Sequence, residues 1–386
     1  MTAVIRTIRP QTWLVTLAGT AMLTLGAGLV APPAAAATGA SAAWGDNAFG
    51  QLGDGTKFAH RMSAPTVAPA LTRLAAGRHH LVGLAAGGQL VSWGLNGNGQ
   101  LGDGTGVARP TPVALTGLPA MTSVGAGHYH SLAVDGTGAI WAWGRNTDGQ
   151  LGDGTQIGRR RPVKLAGVTG AVAATGGREA SLALLGDGTV LAWGLNADGQ
   201  LGQGDLVRRL TPTPVPGVAA VTKIAAGRGF SLALRSDGTV LGWGDNLYGQ
   251  LGDGTRLDRP SPVRVGGLPP VVAIAAFGFH SLALDTTGRV WAWGLGAQGQ
   301  LGNGLLRQNN PRPILVPGLT GVTAIGSGRN HSLAADGTGR IWAWGNNDLG
   351  QVGDGGTTNQ PSPVLVSTLP GTVQVVGGRD YSAALG

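Results

Sequence analysis

The chain has 386 residues, a net charge of +8 and 71 glycines, but no cysteine. The missing cysteine excludes a disulfide framework, a thiolate nucleophile and a cysteine zinc site. Charged and aromatic residues are sparse, at 12% and 5%, and no stretch beyond the N-terminus shows helical periodicity. We therefore predict an all-β protein of many short strands joined by tight turns.

Residues 1–37 have the composition of an export signal. Arg6 and Arg9 precede an uncharged, mostly apolar run from Trp13 to Val30, and small residues suited to signal cleavage follow it. The apolar run is long for a signal core, so an uncleaved membrane anchor is the alternative. We predict that this signal peptide is removed and that residues 38–386 are secreted as one domain with no membrane attachment.

The rest of the chain repeats one phrase seven times. The first copy reads WGDNAFGQLGDGT, and the other six keep most of its letters. The copies begin at Trp44, Trp93, Trp143, Trp193, Trp243, Trp293 and Trp344. A period near fifty residues, built from strand-like pieces, indicates either a propeller or a solenoid.

A second phrase, of the form AGRxHSLAL, alternates with the first. Between Val221 and Val265 the two phrases complete one unit: the strands VTKIAAG, FSLAL, VLGWG and SPVRV, with RSDGT as a hairpin turn between the second and the third. We predict that each unit is a four-stranded antiparallel blade.

The two ends of the repeat region are incomplete in complementary ways. The repeats start with a third-strand phrase, SAAWG, and stop after a second-strand phrase, YSAAL. Thr372–Leu385 and Ser41–Val67 together supply one complete blade. A solenoid needs capping repeats, which are missing, and closing the ring removes exposed strand edges. We predict a seven-bladed β-propeller, closed by pairing the N-terminal with the C-terminal strands.

The alternation of WGxNxxGQLGDGT with AGxxHSLAL over Ser41–Gly386 resembles the regulator of chromosome condensation repeat family. The resemblance implies the same propeller fold. The founding member of that family is a nuclear exchange factor for a small GTPase. It also binds chromatin, and it uses an inserted wedge and a basic tail. This chain has no inserted wedge and begins with an export signal. We therefore expect no exchange activity, and identify the chain as a secreted, bacterial-type member.

Letters that recur in the first phrase indicate structural roles. The asparagine at Asn47 exchanges only with a glycine, Gly296, among the seven copies, which predicts a left-handed backbone at that position. The glutamine at Gln51 recurs in every copy, and we interpret it as a buried amide that bonds backbone across the blade junction. Turn aspartates such as Asp54 offer one carboxylate each, which favours turn capping over calcium binding.

Catalytic chemistry is poorly represented in the repeats. His130 and Ser131 are neighbours in a predicted strand, so they point to opposite faces and do not pair as base and nucleophile. Three copies replace this histidine, with Ala180, Phe230 and Tyr381, and Glu179 is the only glutamate. We predict no catalytic residue, no metal and no cofactor. A hydrolase with an unrecognised site in the central funnel is the weakest alternative.

Two connections of each blade, first-to-second strand and third-to-fourth strand, share one face, which we call the long-loop face. Its bends and loops are rich in arginine. We predict that it binds an anionic partner, either a protein or a wall polymer, through five residues that we call the peripheral arginines: Arg159, Arg160, Arg161, Arg208 and Arg209. The alternative is that their stems only support the outer strand. Aromatic residues are too few and too scattered to argue for nucleic acid.

These observations predict a secreted, monomeric recognition scaffold without enzymatic activity. The alternative function is enzyme inhibition, because a secreted bacterial propeller with a similar fold inhibits β-lactamase by docking one face on the enzyme. Phe49 and Tyr248, at variable loop positions, would carry such a contact. The units here are longer and the loops differ, so that target does not carry over.

Overall fold

The computed structural model describes residues 39–386, which form seven four-stranded antiparallel sheets. The predicted all-β, seven-bladed propeller is confirmed. Residues 1–37, where the sequence predicts a signal peptide, lie outside the described residues. Within residues 39–386 there is no helix long and apolar enough to cross a membrane.

Twenty-eight strands make up the described part of the chain, numbered here in chain order. They are β1 (Ser41–Gly45), β2 (His60–Pro65), β3 (Leu71–Ala76), β4 (His80–Ala85), β5 (Leu90–Gly94), β6 (Arg109–Leu115), β7 (Met121–Ala126), β8 (His130–Asp135), β9 (Ile140–Gly144), β10 (Arg159–Lys164), β11 (Ala171–Gly176), β12 (Ala180–Leu185), β13 (Val190–Gly194), β14 (Arg209–Pro214), β15 (Val221–Ala226), β16 (Phe230–Arg235), β17 (Val240–Gly244), β18 (Arg259–Arg264), β19 (Val271–Ala276), β20 (His280–Asp285), β21 (Val290–Gly294), β22 (Asn310–Leu315), β23 (Val322–Ser327), β24 (His331–Asp336), β25 (Arg340–Gly345), β26 (Gln360–Thr368), β27 (Gln374–Gly377) and β28 (Tyr381–Leu385).

Six blades are continuous in sequence, and the seventh is shared between the two ends of the described chain. In the continuous blades, four consecutive strands pair in order, starting with β3–β6, and the first strand of each lines the central channel. The seventh blade has the order β2-β1-β28-β27. Five residue pairs, from Ser41 with Leu385 to Gly45 with Tyr381, join its two halves. The predicted closure of the ring is therefore confirmed.

The predicted unit at Val221–Val265 matches β15–β18 closely. The main difference is the outer strand, which begins at Arg259, two residues before the predicted start. Gly244 already pairs with Arg259, and the register shifts between Gly242 and Gly244. This irregularity lets the strand begin earlier than the apolar pattern of the sequence indicates.

Each blade junction is held by the repeated tryptophan. All seven repeat tryptophans are fully buried. The indole of Trp193 donates to the backbone carbonyl of Gln150 in the preceding blade at 2.9 Å, and Trp44 of the closing blade makes the same contact with Gln351 of the blade before it. The Gln150 side chain instead accepts the amide of Asp148 in its own loop at 2.9 Å. The predicted role of the glutamine side chain at the junction is therefore wrong, because its backbone carbonyl makes that contact.

Histidine and serine also pair across blade junctions. His130 Nε2 lies 2.8 Å from Ser181 Oγ of the next blade, and that hydroxyl donates to the carbonyl of Gln150 at 2.7 Å. The serine therefore accepts from the imidazole N–H. All three residues are buried, and burial lowers the pKa of His130 to about 3. As predicted, His130 does not pair with its neighbour Ser131, and the inter-blade pair is a sealed structural link rather than a nucleophile and its base.

Candidate functional site

Side chains of the repeated phrase hold the long loop between the third and fourth strands. In one blade, Asn146 Oδ1 accepts the amide of Leu151 at 2.9 Å. Its Nδ2 donates to Asp153 Oδ1 at 3.0 Å and to the carbonyls of Thr155 and Ile157 at 3.0 and 3.2 Å. One amide thus ties the start, middle and end of the loop together, which keeps the loop tip in a defined position.

The backbone prediction for this asparagine is wrong. Among the non-glycine residues of the described chain, only Ala220 and Arg307 have positive φ. Asn47 is retained for its side-chain amide, and the copy that has Gly296 instead lacks these hydrogen bonds. The glycines of the same phrase do need the left-handed region, with φ of 99° at Gly45 and 79° at Gly50.

The tips of five long loops each present an exposed apolar side chain. These residues occupy the same place in their repeats, and 59% or more of each is exposed. We call them the loop-tip residues: Phe58 (78%), Val107 (59%), Ile157 (63%), Val207 (60%) and Leu257 (64%). The sequence analysis missed them because single apolar residues in variable loops carry no periodic signal. The available signal was their regular spacing of about fifty residues.

The peripheral arginines fall into two groups. Arg159 Nη2 lies 2.7 Å from Asp153 Oδ2, and Arg209 Nη2 lies 2.7 Å from Asp205 Oδ2, so both are neutralised inside their own blades. The other three, Arg160, Arg161 and Arg208, are exposed and have no ion pair among the described residues. The prediction of a five-residue binding cluster remains a prediction, with three free guanidinium groups available for it.

Phe49 and Tyr248 lie on the long-loop face in different blades. Phe49 packs on His79, with ring centroids 5.1 Å apart, and Tyr248 packs edge-on against Phe279 at 5.2 Å. Phe49 also lines an open groove of about 420 Å³ that includes Tyr129. The structure therefore places these two predicted contact residues beside aromatic neighbours rather than next to each other.

The bends between first and second strands bring five arginines together at the centre of the long-loop face. We call them the central arginines: Arg78, Arg178, Arg228, Arg329 and Arg379. All five are half-buried, and together with His128 and Phe277 they line one cavity of about 190 Å³. The sequence placed arginines in these bends, but their convergence on one cavity depends on ring closure and was not predicted.

Only part of this central charge is neutralised. Arg178 Nε lies 2.7 Å from Glu179 Oε1, and Arg379 Nε lies 3.0 Å from Asp380 Oδ2. Arg78, Arg228 and Arg329 form no ion pair within residues 39–386. Burial and the neighbouring arginines lower the pKa of Arg78 and of Arg228, which remain charged at neutral pH.

Aromatic rings flank two of the three unpaired central arginines. The Arg78 guanidinium lies 5.2 Å from the ring centroid of Tyr129, and Arg228 lies 5.0 Å from that of Phe279. Such cation–π contacts fix the guanidinium without neutralising it. No group of three or more histidine, aspartate or glutamate side chains within residues 39–386 is arranged to hold a metal ion.

The comparisons with known proteins agree with this architecture. A model of the RCC1-like domain matches residues 15–276 and 167–386. The structure of yeast RCC1 (Prp20) bound to Kap60 superposes with a TM-score of 0.80 at 23% identity, covering 89% of this chain and 88% of that one. Human WBSCR16 superposes with a TM-score of 0.79 at 25% identity, covering 90% and 99%.

A second structure of Prp20p, from Saccharomyces cerevisiae, was determined with a study of its binding to Gsp1p and histones. It superposes with a TM-score of 0.80 at 24% identity and covers 89% of this chain and 90% of that one. None of the curated proteins matches the chain. The similarity to the yeast structures establishes the fold alone.

Proposed function

Because the chain belongs to the RCC1-like domain family, we propose that it is a recognition scaffold that binds a protein with an acidic surface through the long-loop face. One observation carries this proposal: the loop-tip residues lie more than half exposed on the face that also carries the central arginines. Exposed apolar side chains combined with arginine are typical of protein interfaces.

The related structures support a protein partner in general terms. Prp20 has been crystallised with Kap60, and Prp20p has been studied for its binding to Gsp1p and histones. The same fold therefore serves protein recognition in other molecules. The partner of this chain does not follow from those examples, because a fold hosts different interfaces on its loops.

The proposal includes the export predicted from residues 1–37 and a role without catalysis. The buried histidine–serine pairs support the second point, since His130 and Ser181 are inaccessible to a substrate. Because export is part of the proposal, we place the partner outside the cell.

Matched substitutions on the two faces test the proposal. The five loop-tip residues are changed to serine in one variant, and Val172, Val272 and Val373 in another. These three valines are 42% to 52% exposed. They lie at the start of channel-lining strands, on the face opposite the long-loop face. Each purified protein is used as bait for culture supernatant and wall fractions.

We expect a stoichiometric partner that is lost with the loop-tip variant and retained with the valine variant. Retention by both variants, with unchanged melting temperatures, would show that the long-loop face is not the interface.

Two other candidate functions have their own supporting observations. Wall-polymer binding is supported by the free heads of Arg160, Arg161 and Arg208, and predicts binding that weakens with salt. Enzyme inhibition is supported by Phe49 beside its open groove and by Tyr248. The bait experiment separates them, since a wall polymer is recovered in the wall fraction and an inhibited enzyme in the supernatant.

A further inference from the structure

At the centre of the long-loop face, the channel is closed by a side-chain contact and forms a pocket rather than an open pore. The rings of His128 and Phe277 stack with centroids 4.7 Å apart and an interplanar angle of 24°. His128 Nε2 also lies 3.4 Å from the carbonyl of Phe277. The two residues belong to blades three positions apart in the ring, so their contact spans the channel and forms the floor beneath the central arginines.

This floor is a particular feature of the chain. Phe277 stands where the other six repeats have a glycine, and His128 stands where five have arginine. Both side chains are only 6% exposed. Burial lowers the pKa of His128 to about 3, so its imidazole adds no positive charge at neutral pH. The charge in the pocket therefore comes from the arginines alone.

Three of the positive charges in the pocket are not offset by any ion pair within the described part of the chain. Arg78, Arg228 and Arg329 have no ion pair among residues 39–386, and they come from three different blades. Half-buried like charges repel each other more strongly than exposed ones, because solvent screens them less. Such an arrangement is destabilising unless a ligand offsets the repulsion, and unfavourable electrostatics of this kind cluster at binding sites.

The number and direction of these groups select the ligand. A guanidinium binds oxyanions through a planar fork of N–H donors, often in pairs of parallel hydrogen bonds. A single carboxylate has two oxygens and one charge, which is too little for three guanidinium groups that approach from different blades. A phosphate offers three or more acceptor oxygens arranged tetrahedrally, and a linked chain of two or three phosphates fits a cavity of about 190 Å³.

We infer that the pocket formed by the central arginines over the His128–Phe277 floor binds a small polyanion of the phosphate class, with one ligand per chain. Arg78, Arg228 and Arg329 contact the phosphate oxygens. Arg178 and Arg379 hold the edges of the site while paired with Glu179 and Asp380. This site does not depend on the proposed protein partner.

Calorimetric titration with inorganic pyrophosphate and tripolyphosphate tests the inference on the whole purified protein at fixed ionic strength. The central variant carries Arg228→Gln and Arg329→Gln. The control variant carries Arg160→Gln and Arg208→Gln, which removes the same charge from exposed, unpaired positions on the same face. Citrate serves as a carboxylate of similar charge.

We expect one site per chain, a loss of affinity of at least about tenfold in the central variant, and less than about a twofold change in the control. Citrate should bind more weakly than tripolyphosphate. Arg329→Lys keeps the charge but removes the fork, and we expect it to bind more weakly than the wild type even if the double variant fails to fold.

Three results would overturn the inference. They are absence of tripolyphosphate binding to the wild type, equal losses in the central and control variants, and binding of citrate as tight as that of tripolyphosphate. Because the titration contains no macromolecular partner, its failure leaves the proposed protein-binding function untouched.

Discussion

The long-loop face carries two sets of arginines, peripheral and central, which differ in whether their guanidinium groups form ion pairs within their own blade. At the periphery, Arg159 and Arg209 pair with aspartates that lie six and four residues earlier in the same blade. At the centre, Arg78, Arg228 and Arg329 come from three blades and have no ion pair among the described residues. The peripheral arginines therefore either pair within one loop or, like Arg160, Arg161 and Arg208, lie exposed to solvent, whereas the unpaired central arginines are half-buried.

The difference separates a local property from a property of the ring. A peripheral ion pair needs only one loop, so each copy that has both residues can form it independently, as Arg109 with Asp103 and Arg259 with Asp253 also do. The central cavity exists only when all seven bends meet. We expect the local pairs to contribute to stability and the central cluster to cost stability, which would be the pattern of a site retained for binding.

The largest effect should come from opening the ring. This disrupts the central cavity but leaves intact the peripheral ion pairs of blades far from the closing blade. Deleting residues 39–45 removes β1, the buried Trp44 and all five residue pairs with β28. We expect the free energy of unfolding to fall by at least about 4 kcal/mol. Urea denaturation measures it, and a truncated protein as stable as the whole chain would contradict ring closure.

A point substitution provides a matched control for the deletion. Trp44→Leu at the closing blade and Trp193→Leu in a continuous blade each remove an indole that bonds a glutamine carbonyl in the preceding blade. Equal losses of stability would show that the closing blade is as firmly built as a continuous one.

An intermediate effect should appear in acid, where the buried histidines at the blade junctions lower the stability before the peripheral aspartates are protonated. Burial lowers the pKa of His80, His130 and His280 to about 3. Below pH 6.5 the unfolded chain takes up protons at these residues while the folded chain does not, so stability falls until about pH 3. At the periphery, burial raises the pKa of Asp103, but hydrogen bonds from Thr105 and Arg109 outweigh this and lower it to about 2.

His130→Phe tests this difference, because the chain already has Phe230 at the equivalent position. Both rings pack against a glycine of their bend, and Ser281, after the phenylalanine blade, still donates to the carbonyl of Gln250 at 2.8 Å. Between pH 7 and 4.5 we expect the variant to lose about 2 to 3 kcal/mol less than the wild type. Identical acid sensitivity, measured by urea denaturation at both pH values, would mean that His130 does not control it.

The smallest effect should be a difference of sign between the two arginine sets. Arg159→Gln removes an ion pair and should lower the free energy of unfolding by about 0.5 to 1 kcal/mol. Arg329→Gln removes repulsion from Arg78 and Arg228 and should raise it by a few tenths of a kcal/mol at low salt. Added salt should reduce that gain. If both variants destabilise the protein alike, the contrast between centre and periphery does not hold.

Much of the loop architecture could be predicted from the sequence, though not every role. The turn glycines and the separation of His130 from Ser131 follow from local chain geometry. Asn47 was misread, because a residue that exchanges with glycine also fits a position selected for its side-chain amide. The partner of His130 escaped prediction because Ser181 belongs to the next blade, and strand alternation describes only neighbours in one strand.

The sequence by itself determined the blades, their number and the closure of the ring, because each blade is encoded by one repeat of about fifty residues and the two incomplete ends complement each other. The tertiary structure decided what the repeats form together. Only the closed ring brings Arg78, Arg228 and Arg329 to one cavity and stacks His128 on Phe277 across the channel. Those residues lie fifty or more positions apart, so no local pattern records their distance, and their contact depends on the geometry of seven packed blades.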